Sequence, residues 1–319
     1  MGSIAEEVDL ELVVAARRQP AEGVVELELC DPSGAELPAW EPGAHIDVLL
    51  PDGSARQYSL CGDPAERGAW RLGVLLEREG KGGSRHIHED LHEGATVATR
   101  GPRNNFGLLP AARYVFIAGG IGVTPIVPMV AAAARAGADW TLLYGGRSPG
   151  TMAFREELAG HGERVAIRPE DEHGLLDLAA ALGTRRGDTL IYCCGPAPLL
   201  EAVERAAADW PEGALHLERF TPKEMEAPEN EDSFEVELRA SGLTVTVPPD
   251  KSILECVDEA GIYTVSSCQE GTCGSCETVV LEGTPEHRDS LMTPAEQEAS
   301  ETMMICVSRS RCPRLVLDL

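Results

Sequence analysis

Three cysteines within the nine residues "CQEGTCGSC" (268–276), with a fourth at Cys306, constrain this chain more than any other feature. Gly271 and Gly274 allow a loop there to take left-handed backbone angles and to turn its N–H groups towards sulfur. Cys268, Cys273, Cys276 and Cys306 reproduce C-x4-C-x2-C plus a distant fourth ligand, the spacing of a plant-type [2Fe–2S] cluster. Zinc is the competing metal. Structural zinc sites usually present two tight C-x2-C pairs, however, and only Cys273 and Cys276 form one. Cys306 lies in "MMICVSRS", which reads as a strand passing under the loop, and Cys312 comes six residues too late. Cys30, Cys61, Cys193 and Cys256 fall in strand or helix patterns and read as small buried side chains.

Ten cysteines would suit a secreted disulfide framework, but "MGSIAEEVDLELVV" has no basic start followed by an apolar run. The expectation is a cytoplasmic protein with reduced thiols. The formal charge of −26 repels phosphates and argues against a nucleic-acid partner. Residues 115–134 carry no charge over the length of a membrane span. Gly119, Gly120, Gly122, Thr124, Pro125 and Pro128 break that run into strand, loop and helix, so no membrane role is expected.

The chain of 319 residues has room for several cores, and its patterning changes twice. Residues 1–110 carry short alternating runs such as "VVELELC" and "AHIDVLL" between Pro and Gly, predicting an antiparallel β-barrel or sandwich. Across 111–222, strands such as "YVFIAG", "WTLLYGG" and "TLIYCCG" alternate with helical segments, predicting an α/β domain with a parallel sheet. Residues 223–233 form a Pro-rich acidic linker, and 234–319 carry two strands, a helix and the cysteine loop. The fold class is therefore multidomain.

Chemistry can be placed on the first two modules. A bound flavin needs donors for its phosphate, a flat aromatic over its ring and a donor near N5. In "RQYSL", Arg56, Tyr58 and Ser59 supply these in turn. In "GKGGS", Gly82 and Gly83, with Ser84 as a helix N-cap, make a helix start suited to phosphate. "AGGIGVTPI" after a buried strand reads as a pyrophosphate loop, with Pro125 where the third glycine of the dinucleotide fingerprint would stand. "CGP" (194–196) opens a later helix against a nicotinamide ring. Arg147 stands where an adenosine ribose would lie, which leaves NADH and NADPH both open on chemistry alone. His45, His86, His88 and His173 read as barrel, helix or loop residues, and no acid–base pair stands out.

With "RQYSL", "GKGGS", "GGIGVTPI", "CGP", "HLERF" and "CQEGTCGSC" in this order, the chain resembles the phthalate dioxygenase reductase family over nearly its whole length. The resemblance implies an FMN-binding barrel, an NADH domain and a C-terminal ferredoxin-like β-grasp domain. It implies FMN contacts from Arg56, Tyr58, Ser59, Val74, Leu75, Gly82, Gly83 and Ser84. It further implies nucleotide contacts from Gly120, Gly122, Thr124, Pro125, Cys194, Gly195 and Pro196, with Thr124 also near the flavin. Phe220 matches an aromatic beside the flavin ring, and Ser59, Cys194 and Phe220 are the expected catalytic set. The glycines of "LLYGG" and Lys81 of "GKGGS" depart from the family pattern.

The implied partner is a terminal Rieske oxygenase that docks transiently and electrostatically on a monomeric reductase. Residues 234–319 hold fifteen acidic and six basic side chains, a net charge of −9. Two alternatives remain: a stand-alone flavin/iron–sulfur NADH oxidoreductase serving another soluble acceptor, and a ferredoxin-like carrier or zinc-stabilised interaction module.

Overall fold

A computed structural model describes residues 7–183, 187–223 and 232–319. The chain divides into two units, Met1–Glu218 and Arg219–Leu319. Residues 224–231, the centre of the expected acidic linker, lie outside the described residues.

The first unit begins with β1 (Val8–Ala21), β2 (Val24–Cys30), β3 (His45–Leu49), β4 (Ala55–Ser59), β5 (Trp70–Leu75), α1 (Gly83–Asp90) and β6 (Thr96–Arg103). Its strands run in the order β4-β3-β6-β1-β2-β5, every pair antiparallel, and a bridge between Leu60 and Leu72 joins the two ends. The sheet therefore closes into a barrel. Alternation in the sequence puts Leu12, Leu27, Leu29, Ile46, Trp70 and Leu72 inside, all essentially buried. One charged pair is buried with them: Arg103 Nη2 meets the fully buried Asp47 Oδ1 at 2.6 Å, and Gln57 Nε2 donates to the same oxygen at 2.8 Å. Cys30 is only half-buried, unlike the interior side chain expected of it, because it sits at the end of β2 where the barrel opens.

The same unit continues with β7 (Arg113–Gly119), a 3-10 turn (Gly120–Val123), α2 (Ile126–Arg135), β8 (Asp139–Gly146), α3 (Arg155–Ala159), β9 (Val165–Pro169), α4 (Glu170–His173), α5 (Leu178–Leu182), β10 (Thr189–Cys194), α6 (Ala197–Ala206) and β11 (Leu215–Glu218). All pairs are parallel, in the order β11-β10-β7-β8-β9. The order reverses between β7 and β10, which is the place at the C-terminal edge of a parallel sheet where ligands generally bind. The uncharged run of 115–134 is β7, the turn and α2. Among the described residues no helix is long and apolar enough to cross a membrane. The segment "AFREELAGHG" yields only the short α3, since Phe154 takes a left-handed φ of 56° before it and glycines follow.

The second unit holds β12 (Phe234–Leu238), β13 (Leu243–Val247), α7 (Ile253–Glu259), β14 (Glu277–Glu282), β15 (Pro285–Glu286), α8 (Pro294–Ala299), β16 (Thr302–Met304), β17 (Arg309–Ser310) and β18 (Arg314–Leu317). Its five-stranded sheet runs β13-β12-β18-β14-β16, with β12 and β18 parallel. Helix α7 buries Ile253, Leu254 and Val257 against Phe234, Val236, Leu315 and Leu317. A mixed sheet with a helix laid across it is the β-grasp arrangement. Ser252 and Glu255 start α7 with a reciprocal capping box, and Thr293 and Glu296 do the same for α8.

Removing Arg103 would leave the Asp47 carboxylate buried with only an amide to offset it. Arg103→Leu should cost the first unit about 3 kcal/mol of stability. All four tryptophans lie in that unit, so a fluorescence-monitored denaturation midpoint measures the loss directly.

Candidate electron-transfer sites

At the C-terminal edge of the parallel sheet, two glycine loops touch backbone to backbone. A Cβ on Gly122 would lie 2.5 Å from the carbonyl carbon of Cys194 and 2.6 Å from the nitrogen of Gly195; one on Gly195 would lie 3.0 Å from Gly119 Cα. Gly120 takes a left-handed φ of 55°. Glycine at 122 is thus demanded by protein packing as much as by any nucleotide. Thr124 is buried, its Oγ1 donating to the Ile121 carbonyl at 3.0 Å, and Pro125 precedes α2 as its N-cap. Pro196 caps α6 in extended conformation with no side-chain cap. Arg147 is exposed beyond β8, its carbonyl accepting from the Asp171 N–H at 3.2 Å.

Cys194 ends β10 and Glu218 ends β11, paired in register. The Glu218 carboxylate accepts hydrogen bonds from the Cys194 thiol and from the Ser59 hydroxyl at the end of β4. Two expected site residues from separate modules therefore meet through a third that sequence reasoning passed over. Burial, opposed by those two bonds, raises the Glu218 carboxyl to about 8. Burial pushes the Cys194 thiol up as well, and the carboxylate adds to the shift. Part of the Glu218 side chain is accessible, but its Oε2 is buried with no hydrogen-bond partner among the described residues. The modules are also clamped nearby. A Cβ on Gly73 would lie 2.9 Å from Thr124 Cγ2 and 3.0 Å from the Phe154 ring; the Arg71 guanidinium sits 5.0 Å over that ring and pairs with Glu157 at 3.1 Å.

Along β4, Arg56 and Tyr58 share one face and Ser59 takes the other. Arg56 Nη1 donates to the Ala55 carbonyl at 2.7 Å and Nη2 to the Lys81 carbonyl at 3.3 Å. Its stem passes under Gly83, where a Cβ would come within 2.4 Å. Burial raises the Tyr58 phenol to about 12. The Val74 side chain is fully buried in the barrel core and Leu75 is partly buried. Ser84 is not the cap of α1. That place belongs to Gly82, whose φ of 90° suits glycine, and Ser84 Oγ instead accepts from the Glu77 N–H at 2.9 Å. The first amides of α1 thus carry no side-chain cap and lie beside Arg56. This fits a flavin phosphate, and the orphaned Glu218 Oε2 fits a polar group bound beside it.

In the second unit, Gln269, Gly271 and Gly274 all take positive φ, so the cysteine loop folds inward on itself. The N–H groups of Glu270 and Thr272 donate to Cys268 Sγ at 3.3 and 3.4 Å, and that of Cys268 to Cys273 Sγ at 3.4 Å. Cys273, Cys276 and Cys306 are buried. Hydrogen bonds from the Cys273 and Cys306 thiols, aided by the loop, hold Cys268 well below the ordinary thiol range. Backbone donors aimed at converging sulfurs fit a cluster of thiolate ligands. No set of three His, Cys, Asp or Glu side chains is posed around a single metal-ion position among the described residues. Cys306 lies in the turn after β16 rather than in a strand, because the chain must bend there to deliver its sulfur. Cys312 bonds instead with Ser310, Thr284 and Arg314. Sequence reading also missed Asp289. A Cβ on Gly271 would lie 3.0 Å from its Cα, and its Oδ1 accepts from the N–H groups of Leu291 and Met292. Phe220 belongs to the second unit and is 44% exposed.

These arrangements define an NAD-binding, iron–sulfur oxidoreductase. Residues 236–311 match the 2Fe-2S iron-sulfur cluster binding domain and 116–205 the oxidoreductase NAD-binding domain. The chain is 43% identical to phenoxybenzoate dioxygenase subunit beta of Ectopseudomonas oleovorans over the full length of both, and 36% identical to phthalate dioxygenase reductase of Burkholderia cepacia over 97% of each. The solved phthalate dioxygenase reductase, described as transferring electrons from pyridine nucleotides to [2Fe–2S], matches 98% of both chains at TM-score 0.72 and 35% identity. An intact type IV self-sufficient cytochrome P450 monooxygenase matches at TM-score 0.92 and 43% identity, this chain covering 41% of its length. The chain belongs to the phthalate dioxygenase reductase family.

A carboxyl raised from 4.5 to about 8 binds its proton more tightly in the folded state, so its contribution is full below pH 4.5 and is lost as pH rises past 8. Glu218→Gln should therefore gain Tm relative to the parent progressively between about pH 5 and 9, with no gain below that window. A pH series of paired melts measures it.

Proposed function

We propose that this chain is the reductase component of a two-component Rieske oxygenase system, acting in the cytoplasm. It would carry electrons from NADH through FMN and a [2Fe–2S] cluster to an aromatic-ring dioxygenase or demethylase. Residues 1–110 would hold FMN, 111–222 NADH and 234–319 the cluster, with 223–233 as tether. The observation that carries the reading is the meeting of Ser59, Glu218 and Cys194 where the barrel abuts the C-terminal edge of the parallel sheet. The names of the relatives support the partner class: phthalate 4,5-dioxygenase reductase subunit and vanillate O-demethylase oxidoreductase, both of Pseudomonas putida.

A flavin, when bound, accepts electrons as a pair and releases them singly, which joins a hydride donor to a one-electron cluster. The protein's part is to place and shield. Arg56, Gly82, Gly83 and Ser84 would hold the phosphate, with Tyr58, Val74 and Leu75 along the ring. Ser59 would donate towards N5. Gly120, Gly122, Thr124, Pro125, Gly195, Pro196 and Arg147 would seat the nucleotide, bringing the nicotinamide beside Cys194. Phe220 would cover the flavin until the nicotinamide displaces it. Glu218, protonated near neutral pH, would keep the Ser59 hydroxyl and the Cys194 thiol oriented without placing a full charge beside them. Cys268, Cys273, Cys276 and Cys306 would ligate the cluster.

A second reading, delivery of electrons to a cytochrome P450, rests on the monooxygenase match above. Either reading requires the flavin and the cluster in one chain. The anaerobically purified protein should contain FMN, iron and sulfide, and NADH should bleach both chromophores. Cys306→Ser should abolish the iron–sulfur absorption and Cys312→Ser should leave it intact. Zinc in place of iron and sulfide would refute the assignment.

A further inference from the structure

Tyr263 is 82% exposed, next only to Leu175 among the large exposed apolar side chains. An aromatic so uncovered has unfavourable contact with water unless something packs on it, and tyrosine is among the residues that anchor interfaces. Its position follows from the end of α7. Gly261, at a left-handed φ of 81°, donates to the Asp258 carbonyl at 3.0 Å while Ile262 donates to the Val257 carbonyl at 3.2 Å. This paired closure is a Schellman motif, and it turns the chain sharply off the helix so that Tyr263 projects outward.

Beside the ring is a cleft of about 350 Å³ lined by Asp258, Gly261, Ile262, Tyr263, Thr264 and Ser266. Three features make it attractive to a cation. It lies at the negative end of α7, which has no basic residue in its last turn. Asp258 stands in its wall, steadied by the Thr264 hydroxyl at 3.3 Å, and has no cationic partner among the described residues. Tyr263 offers an aromatic face. Neighbouring cations are already used: Lys251 pairs with Glu259 at 2.5 Å, and Arg309 donates to the carbonyls of Lys251 and Pro248. Tyr263 is also five residues from Cys268, so their Cα atoms can be at most about 18 Å apart.

We propose that the Asp258–Tyr263 cleft receives an arginine or lysine side chain of the protein that takes electrons from the cluster. The cation would pair with the carboxylate and lie against the ring, giving a local anchor within a diffuse acidic surface of net charge −9 over residues 234–319. This rests on the proposed function, in that the electrons leave to a protein.

Mitochondrial cytochrome c, a basic one-electron haem protein, serves as the probe. Its Kd for the intact holoprotein is measured by calorimetry and its KM as acceptor by steady-state reduction at low salt. Tyr263→Ala and Asp258→Asn should each raise both constants about five- to tenfold, whereas Tyr263→Phe should keep them near the parent values. NADH bleaching of the cluster and reduction of ferricyanide, a small anionic acceptor, should stay unchanged in every variant, which also verifies folding. Glu298→Gln on exposed α8 removes the same charge elsewhere and should leave Kd unaltered. Unchanged Kd in Tyr263→Ala and Asp258→Asn would overturn the anchor, as would an equal weakening by Glu298→Gln. Failure of NADH to bleach the parent's cluster would instead overturn the functional reading, and calorimetry detects the two failures separately.

Discussion

The barrel and the parallel sheet of the first unit meet at a carboxyl group whose Oε2 is buried. Glu218 ends an edge strand of the parallel sheet, yet its bonds go sideways to Cys194 and across to Ser59 of the barrel. A charge in that position would be expensive, and burial accordingly raises the carboxyl to about 8, which favours keeping the proton. Retaining it requires the barrel and the sheet to stay in register with each other. Gly73 permits that approach and the Arg71–Glu157 pair reinforces it. The packing that joins barrel to sheet thus also favours the neutral acid.

The sequence revealed the architecture well where spacing or period carries it. Barrel strands alternate, the parallel strands are short and apolar, and the four cysteines keep a ligand interval that few other structures need. It was less informative where one residue acts through a contact between modules. Glu218 stands in "HLERF", a motif read only for its phenylalanine, because the carboxyl's meaning comes from Ser59, some 160 positions earlier. The cap of α1 was misread for a related reason. Serine is a favoured N-cap, but with Gly82 already in the left-handed region the helix starts two residues earlier, which frees Ser84 for Glu77. Cys306 looked like part of a strand since "MMICV" is apolar and branched, yet the backbone turns there, with the N–H groups of Val307 and Ser308 both donating to the Met304 carbonyl.

The charge of the second unit has the same two-level character. Its sequence shows only an excess of acid. The structure shows that its cations are turned inward or sideways: Arg239 and Arg314 on Glu237, Lys251 on Glu259, and Arg309 on backbone carbonyls and the Phe234 ring. Internal pairing uses the basic residues to stabilise the β-grasp fold and leaves the unmatched carboxylates facing solvent. A net charge spread this way steers an approaching partner from a distance but cannot by itself fix an orientation, since smooth fields have no register.

Orientation matters because the transfer of a single electron to another protein depends on which face meets the partner. The cysteine loop folds tightly on itself, with glycines at positive φ and with Cys273 and Cys276 buried while Cys268 stays partly accessible. The loop commits its main-chain N–H groups to sulfur and keeps few side chains, such as the exposed Gln269, at its surface. Under the proposed function a partner would be recognised on the flank, where the turn after α7 presents together an exposed aromatic, a helix C-terminus and a carboxylate with no cationic partner among the described residues.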